Sequence, residues 1–177
     1  LQHYKGVSKP LKELNRLGLF EKTTQRVYRN PFGLILKHFA PPQSLTEEQI
    51  DAVEKIEKSL QENSYSTYLL HGVTGSGKTE VYLKATEICL KLGREALILV
   101  PEIALATQLE SHFVSRFGEE VVLLHSGLSR GEKFDQWSLA ASGKAKIVIG
   151  ARSAVFAPLK NLGLIVVDEE HDGGFKQ

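Results

Sequence analysis

Tyr68-Leu69-Leu70-His71-Gly72-Val73-Thr74-Gly75-Ser76-Gly77-Lys78-Thr79 is the stretch on which the fold turns. Its last eight residues satisfy G-x-x-x-x-G-K-[S/T] at every position, and Tyr68 to His71 reads as a short apolar strand leading into them. A helix is expected from Lys78 to Leu92, ended by Gly93. In that setting the loop backbone can turn its N–H groups onto phosphate oxygens, and the helix adds its positive end. Gly72, Gly75, Ser76 and Gly77 are the candidate phosphate cradle. Lys78 is placed to reach the β- and γ-phosphates, and the Thr79 hydroxyl to ligate Mg²⁺. The bland alternative is a glycine turn that binds nothing, and a strand before it and a helix after it weigh against that.

Working outward, short apolar runs alternate with helical patterns. Strands are expected at Ala96 to Val100, Val121 to Leu124, Ile147 to Ile149 and Leu164 to Val167. Helices are expected from Thr46, from Ile103 to Phe117, and from Ser129 to Ala141, the last closed by Gly143. Thr46 is a natural N-cap, with Gln49 at the capping-box position three residues on. All-apolar strands separated by helices mean an α/β fold with an open, mostly parallel sheet covered on both faces. Ligands of such a sheet sit at the carboxyl ends of its strands.

One of those ends is acidic. Leu164-Ile165-Val166-Val167-Asp168-Glu169-Glu170-His171 carries a carboxylate out of a buried run. Asp168 is placed to hold Mg²⁺ together with Thr79, and Glu169 to orient or deprotonate an attacking water. A solvated turn is the alternative, but the phosphate loop about ninety residues earlier favours the catalytic reading. His171 either couples the nucleotide to another part of the protein or caps the turn. Cys89 reads as buried packing. Trp137, three residues after Phe134 on a helix, reads as core, with a base-stacking platform as the alternative.

Composition limits the remaining classes. The chain has 177 residues, 42% hydrophobic and 24% charged, close to an average globular protein. Its apolar runs are far shorter than a membrane span, no signal peptide opens it, and one cysteine excludes an internal disulfide framework or a multi-cysteine zinc site. These features fit a reducing cytoplasm. There is no methionine, and the chain stops soon after the acidic strand, so it reads as a piece of a longer protein.

The net charge of +1 hides an asymmetry: residues 1–43 sum to +6 and the remainder to −5. A boundary is expected where Asn30-Pro31, Gly33 and Pro41-Pro42 break regular structure, giving segments 1–40 and 41–177. The first segment reads as a short basic helix after Ser8, with Leu11, Leu14 and Leu17 on one stripe and Gly18 at its end. An extended stretch or hairpin follows over 19–28. That order is the tail of a winged helix-turn-helix, and Lys9, Lys12 and Arg16, largely off the leucine stripe, are its candidate DNA contacts. A merely solvated basic face is the alternative.

The phosphate loop with Asp168-Glu169-Glu170-His171 resembles the superfamily 2 helicases. The finer resemblance is to the PriA family of replication-restart helicases, also called primosomal protein N′. Five blocks in order carry it: Gly72 to Tyr82, Val100 to Leu105, Leu124 to Ser129, Ile149 to Pro158, and Asp168 to Asp172 with Phe175-Lys176-Gln177. Gly173-Gly174-Phe175 departs from that family's Ser-Ser-Tyr, and Lys133 stands where it has arginine.

The resemblance implies the first RecA-like motor lobe of an ATP- and Mg²⁺-dependent 3′-to-5′ helicase acting on single-stranded and forked DNA at stalled forks. It implies that Gln49 contacts adenine and that Thr107, Gln108, Arg152 and Ser153 hold the DNA backbone. It also implies primosome proteins and single-stranded DNA-binding protein as partners, a nucleoid-associated place in the cytoplasm, and zinc only outside this stretch. A second motor lobe with its arginine finger would lie beyond Gln177, so this piece alone is expected to be inactive. The rival readings are another superfamily 2 DNA or RNA translocase and a nucleotide-gated DNA-binding module without a motor cycle.

Overall fold

The computed structural model describes residues 8–19, 21, 28–29, 39, 44–73, 75–101 and 108–170. Four strands, β1 (Glu95–Leu99), β2 (Val121–Leu124), β3 (Ile147–Gly150) and β4 (Leu162–Val167), form one sheet in the order β2-β3-β1-β4. Every pairing is parallel, with Leu97 opposite both Val148 and Ile165. The expected α/β architecture with an open parallel sheet is what is found.

The described residues form five α-helices: α1 (Ser8–Arg16), α2 (Glu47–Glu62), α3 (Lys78–Lys91), α4 (Gln108–Phe117) and α5 (Arg130–Ala141). The strand period of two sends alternate side chains to opposite faces. Ile98, Val121, Leu123, Ile147 and Ile149 pack with Leu83 of α3 and with Leu109, Phe113 and Val114 of α4. Leu97, Val122, Leu124 and Val148 pack on the other face with Ala140 of α5 and Ala154. β2 and β3 are therefore buried on both faces. β4 is not: Leu162, Ile165 and Val167 are exposed.

Local signals set the helix ends. Thr46 caps α2 with the expected capping box. α5 starts with a second one, Ser129 paired with Glu132. Gly93 (φ 73°) and Gly143 (φ 72°) adopt the left-handed conformation that closes α3 and α5. Cys89 is buried as expected, and burial pushes its thiol up to about 11. Among the described residues, no helix is long and apolar enough to cross a membrane.

Two expectations are corrected. Tyr68 to His71 is not a strand: it pairs with none of the four, and the Tyr68 hydroxyl is instead bonded to Ser59 and to the Lys55 carbonyl of α2. Leu69 is left 76% exposed. Trp137 is not core but 41% exposed, and Phe134 is exposed as well. The inward positions of α5 belong to Asp135 and Gln136, because Gln136 Oε1 accepts the Leu123 N–H of β2 at 3.1 Å. On α1, Leu14 and Leu17 of the leucine stripe are exposed. The stretch expected as a hairpin, 19–28, is described only at Leu19, Glu21 and Tyr28. The start expected for the fourth helix at Ile103 also lies outside the described residues.

α4 carries a buried carboxyl. Glu110 is buried and its Oε1 has no hydrogen bond. Burial raises its pKa to about 7. A carboxyl whose folded pKa lies above its unfolded one contributes stability below the unfolded value, near 4.5, and that stability is lost as pH rises through about 7. Glu110→Gln is expected to melt like the parent chain at pH 5 and to be more stable at pH 8 by about 3 kcal/mol, roughly 5–10 °C in Tm. Thermal unfolding at the two pH values checks this, and equal melting points at pH 8 would refute it.

Candidate functional site

The phosphate loop begins with a tight turn in which the Ser76 N–H donates to the Val73 carbonyl. Gly75 (φ 81°) and Gly77 (φ 83°) are left-handed, which a side chain resists. Gly77 is the N-cap of α3 and has no side-chain cap bond, so the first N–H groups of the helix face the loop mouth. A Cβ at Gly77 would collide with Gln49 Nε2. That amide donates to the Ser76 and Gly77 carbonyls at 3.4 and 3.3 Å. Gln49 Oε1 meanwhile accepts the Thr46 N–H at 3.0 Å, so the residue expected at adenine holds the helix cap and the loop together. Lys78 Nζ donates to the Gly72 and Val73 carbonyls at 2.6 and 3.1 Å. Thr79 follows in the first turn of α3.

The acidic strand end is fixed by sheet pairing. The Asp168 N–H donates to the Leu99 carbonyl at 2.9 Å, continuing the β1–β4 ladder one residue past β4. Asp168 Oδ1 accepts the Tyr82 hydroxyl at 3.2 Å. Tyr82 lies on α3 three residues after Thr79, on the same helix face. The helix that begins at the loop thus touches the carboxylate at the end of β4. Glu169 is exposed and left-handed at φ 50°, which costs a non-glycine residue about 1–3 kcal/mol. A hydroxyl and a carboxylate are the hard oxygen donors that suit Mg²⁺, and the loop N–H groups with Lys78 suit a polyphosphate. The donor set fits ATP and Mg²⁺.

Of the expected DNA residues, two lie at this edge. Arg152 and Ser153 are exposed in a 3-10 turn (Arg152–Phe156) directly after β3. Gln108 opens α4, while Thr107, the side chain of Gln108 and His171 lie outside the described residues, as do Gly173 to Gln177. On α1, Lys12 and Arg16 are exposed, and Arg16 pairs with Glu13 at 2.8 Å. The side chain of Lys9 lies outside the described residues. His125 is no hydrolytic base: its Nδ1 accepts the Gly127 N–H at 3.2 Å, and burial lowers its pKa.

Sequence reasoning assigned no role to Glu80, Tyr82, Arg116, Arg29 or Asp135. Arg116 near the end of α4 makes a two-pronged ion pair with Glu80, at 2.6 and 3.1 Å, with side chains 17% and 12% exposed. Arg29 docks on α5 through Asp135 Oδ2 at 2.7 Å, and its carbonyl accepts from Gln136. Phe39 stacks on His112 of α4 with ring centroids 4.0 Å apart. Only Tyr82 left a signal in the sequence, its spacing of three from Thr79; ion pairs between distant residues leave none.

Residues 43–177 match the protein family described as type III restriction enzyme, res subunit. The chain is also similar to replication restart protein PriA of several bacteria. It is 46% identical to that of Bacillus subtilis over 170 residues, covering 96% of this chain and 21% of the relative. It is 45% identical to that of Chlamydia pneumoniae over 168 residues, 95% of this chain and 22% of the relative. With that of Synechocystis it shares 58% over 113 residues, 64% of this chain and 14% of the relative. The chain thus spans about a fifth of the length of the curated relatives it matches most fully.

The Glu80–Arg116 pair yields a test. Removing one partner leaves the other charge buried, a loss of about 3–5 kcal/mol in comparable pairs, whereas removing both is often nearly neutral. Glu80→Gln and Arg116→Met are each expected to destabilise the chain by about 3 kcal/mol, and the double variant by less than either. Denaturant unfolding of the four proteins checks this. Additive losses would mean the pair is not coupled.

Proposed function

We propose, from the premise that this chain belongs to the type III restriction enzyme res subunit family and is a relative of the PriA replication restart proteins, that it is the ATP-binding motor lobe of a replication-restart DNA helicase. The observation that carries the reading is the contact between the two halves of the nucleotide site: α3, which starts at the phosphate loop, holds the Asp168 carboxylate through Tyr82.

In this reading Gly72, Gly75, Ser76 and Gly77 present backbone groups to the ATP phosphates, and Lys78 leaves the loop carbonyls to neutralise the β- and γ-phosphates. Thr79 and Asp168 hold Mg²⁺, which shields the charge developing on the phosphates. Glu169 orients the water and takes its proton. Gln49 reads the adenine edge with the amide that now bonds the loop. Thr107, Gln108, Arg152 and Ser153 grip single-stranded DNA, and His171 couples the two activities. Translocation runs 3′ to 5′ on forked DNA, with primosome proteins and single-stranded DNA-binding protein as partners, in the cytoplasm. Catalysis needs a second lobe supplying an arginine finger, worth about 10³–10⁵ in rate, so the 177-residue piece binds nucleotide weakly and hardly turns it over. The basic segment 1–40 is the end of a winged-helix DNA-binding region.

Glu169→Gln in the full-length protein is the test. The amide keeps the shape and loses the base, so ATP–Mg²⁺ binding is expected near normal with kcat down by about 10²–10⁴. Abolished binding with surviving turnover would reverse the roles of Asp168 and Glu169. ATPase with and without forked DNA separates the motor from a gated binding module, since only a motor is stimulated.

The basic arm has its own measurement. Charge reversal at Lys9, Lys12 and Arg16 is expected to lower the salt slope of forked-DNA binding by ~0.9 for each phosphate that is no longer neutralised, with ATPase on saturating single-stranded DNA little changed. An unchanged slope means a merely solvated face.

A further inference from the structure

We propose that Tyr82 is the positioning residue of the Asp168 carboxylate and sets how well the protein binds the cation carried by its nucleotide. The inference rests on the nucleotide-site reading above and gives its Tyr82–Asp168 contact a function.

Three observations carry it. The Tyr82 hydroxyl donates to Asp168 Oδ1 at 3.2 Å, and no other hydrogen bond to that carboxylate occurs among the described residues. The donor is itself held in place. Tyr82 is half-buried against the Leu83, Ile98 and Phe113 core, and its carbonyl accepts the Thr86 hydroxyl at 2.8 Å. Finally, α3 carries the donor and Thr79 on one face, so the helix sets the carboxylate's orientation relative to the threonine hydroxyl.

The chemistry follows from that geometry. A carboxylate at a strand end can rotate about its side-chain bonds, and a single donor on one oxygen selects one rotamer. With Oδ1 engaged, Oδ2 remains for a cation. A phenol, ordinarily titrating at about 10, is a neutral donor at working pH. A protonated phenol also adds no charge to compete with the cation. A phenylalanine keeps the ring and its packing while freeing the carboxylate, so Tyr82→Phe isolates the hydrogen bond.

The experiment uses the full-length protein that carries this chain and follows binding of a fluorescent ATP analogue across a Mg²⁺ titration, without turnover. A hydrogen bond to a charged group is worth about a tenfold change, so Tyr82→Phe is expected to raise the Mg²⁺ half-saturation about five- to tenfold. Analogue affinity in EDTA should stay within about twofold, and kcat at saturating Mg²⁺ within about threefold. Melting within a few degrees of the parent certifies the fold. Should the variant unfold, 3-fluorotyrosine at position 82 keeps the ring and alters the hydroxyl's acidity. It is expected to move the half-saturation by about twofold.

An unmoved half-saturation in a folded variant overturns the proposal. Asp168→Asn separates its failure from that of the underlying reading. If Asp168→Asn abolishes the Mg²⁺ dependence and Tyr82→Phe leaves it unmoved, only the role of Tyr82 is lost. If Asp168→Asn also leaves it unmoved, the metal assignment falls and the proposal with it.

Discussion

The rung that joins the Asp168 N–H to the Leu99 carbonyl is the constraint from which the candidate site follows. All four strands run in one direction, so everything that leaves their carboxyl ends emerges on one edge. Pro101 follows β1, His125 and Ser126 follow β2, the Arg152 turn follows β3, and the acidic residues follow β4. A register slip of one residue would turn Asp168 to the opposite face, away from Tyr82. The buried pairs Ile98 with Val166 and Ile98 with Ile149 oppose such a slip, since both neighbours of β1 place apolar residues against the same rows.

Local chemistry was legible in the sequence. The capping box at Thr46, the glycine stops at Gly93 and Gly143, the helix from Lys78 and the strand Val121–Leu124 each depend on residues within a few positions of one another. So does the phosphate loop, whose glycines take the conformations that only glycine adopts freely. What could not be read is decided by partners far along the chain. Tyr68 to His71 has the apolar residues of a strand, but it pairs with no strand of the sheet, and Tyr68 is anchored to α2. Periodicity placed Phe134 and Trp137 inward on α5. The unpaired N–H of Leu123 and the guanidinium of Arg29 drew Gln136 and Asp135 there instead.

Those buried polar groups on α5 have a structural consequence. Gln136 bonds β2 through its oxygen and the Arg29 carbonyl through its nitrogen, so one amide ties helix, sheet and amino-terminal segment together. Asp135 accepts both the backbone and the guanidinium of Arg29. An apolar contact would tolerate sliding, whereas this set of directional bonds is satisfied in one arrangement only. With Phe39 on His112 and its N–H on Ser115, residues ahead of the proline boundary are fastened to two helices of the α/β body.

The phosphate loop uses its own groups in a comparable way. Lys78 donates to the carbonyls of Gly72 and Val73, and Gln49 to those of Ser76 and Gly77, so four loop carbonyls are engaged by side chains. In the proposed reading Lys78 would trade two neutral carbonyl acceptors for a charged one. A charge-assisted bond is about twice as strong as a neutral one, so the trade favours the phosphate. Gly77 sits where this arrangement closes: any side chain there would displace the Gln49 amide and with it the order of the loop.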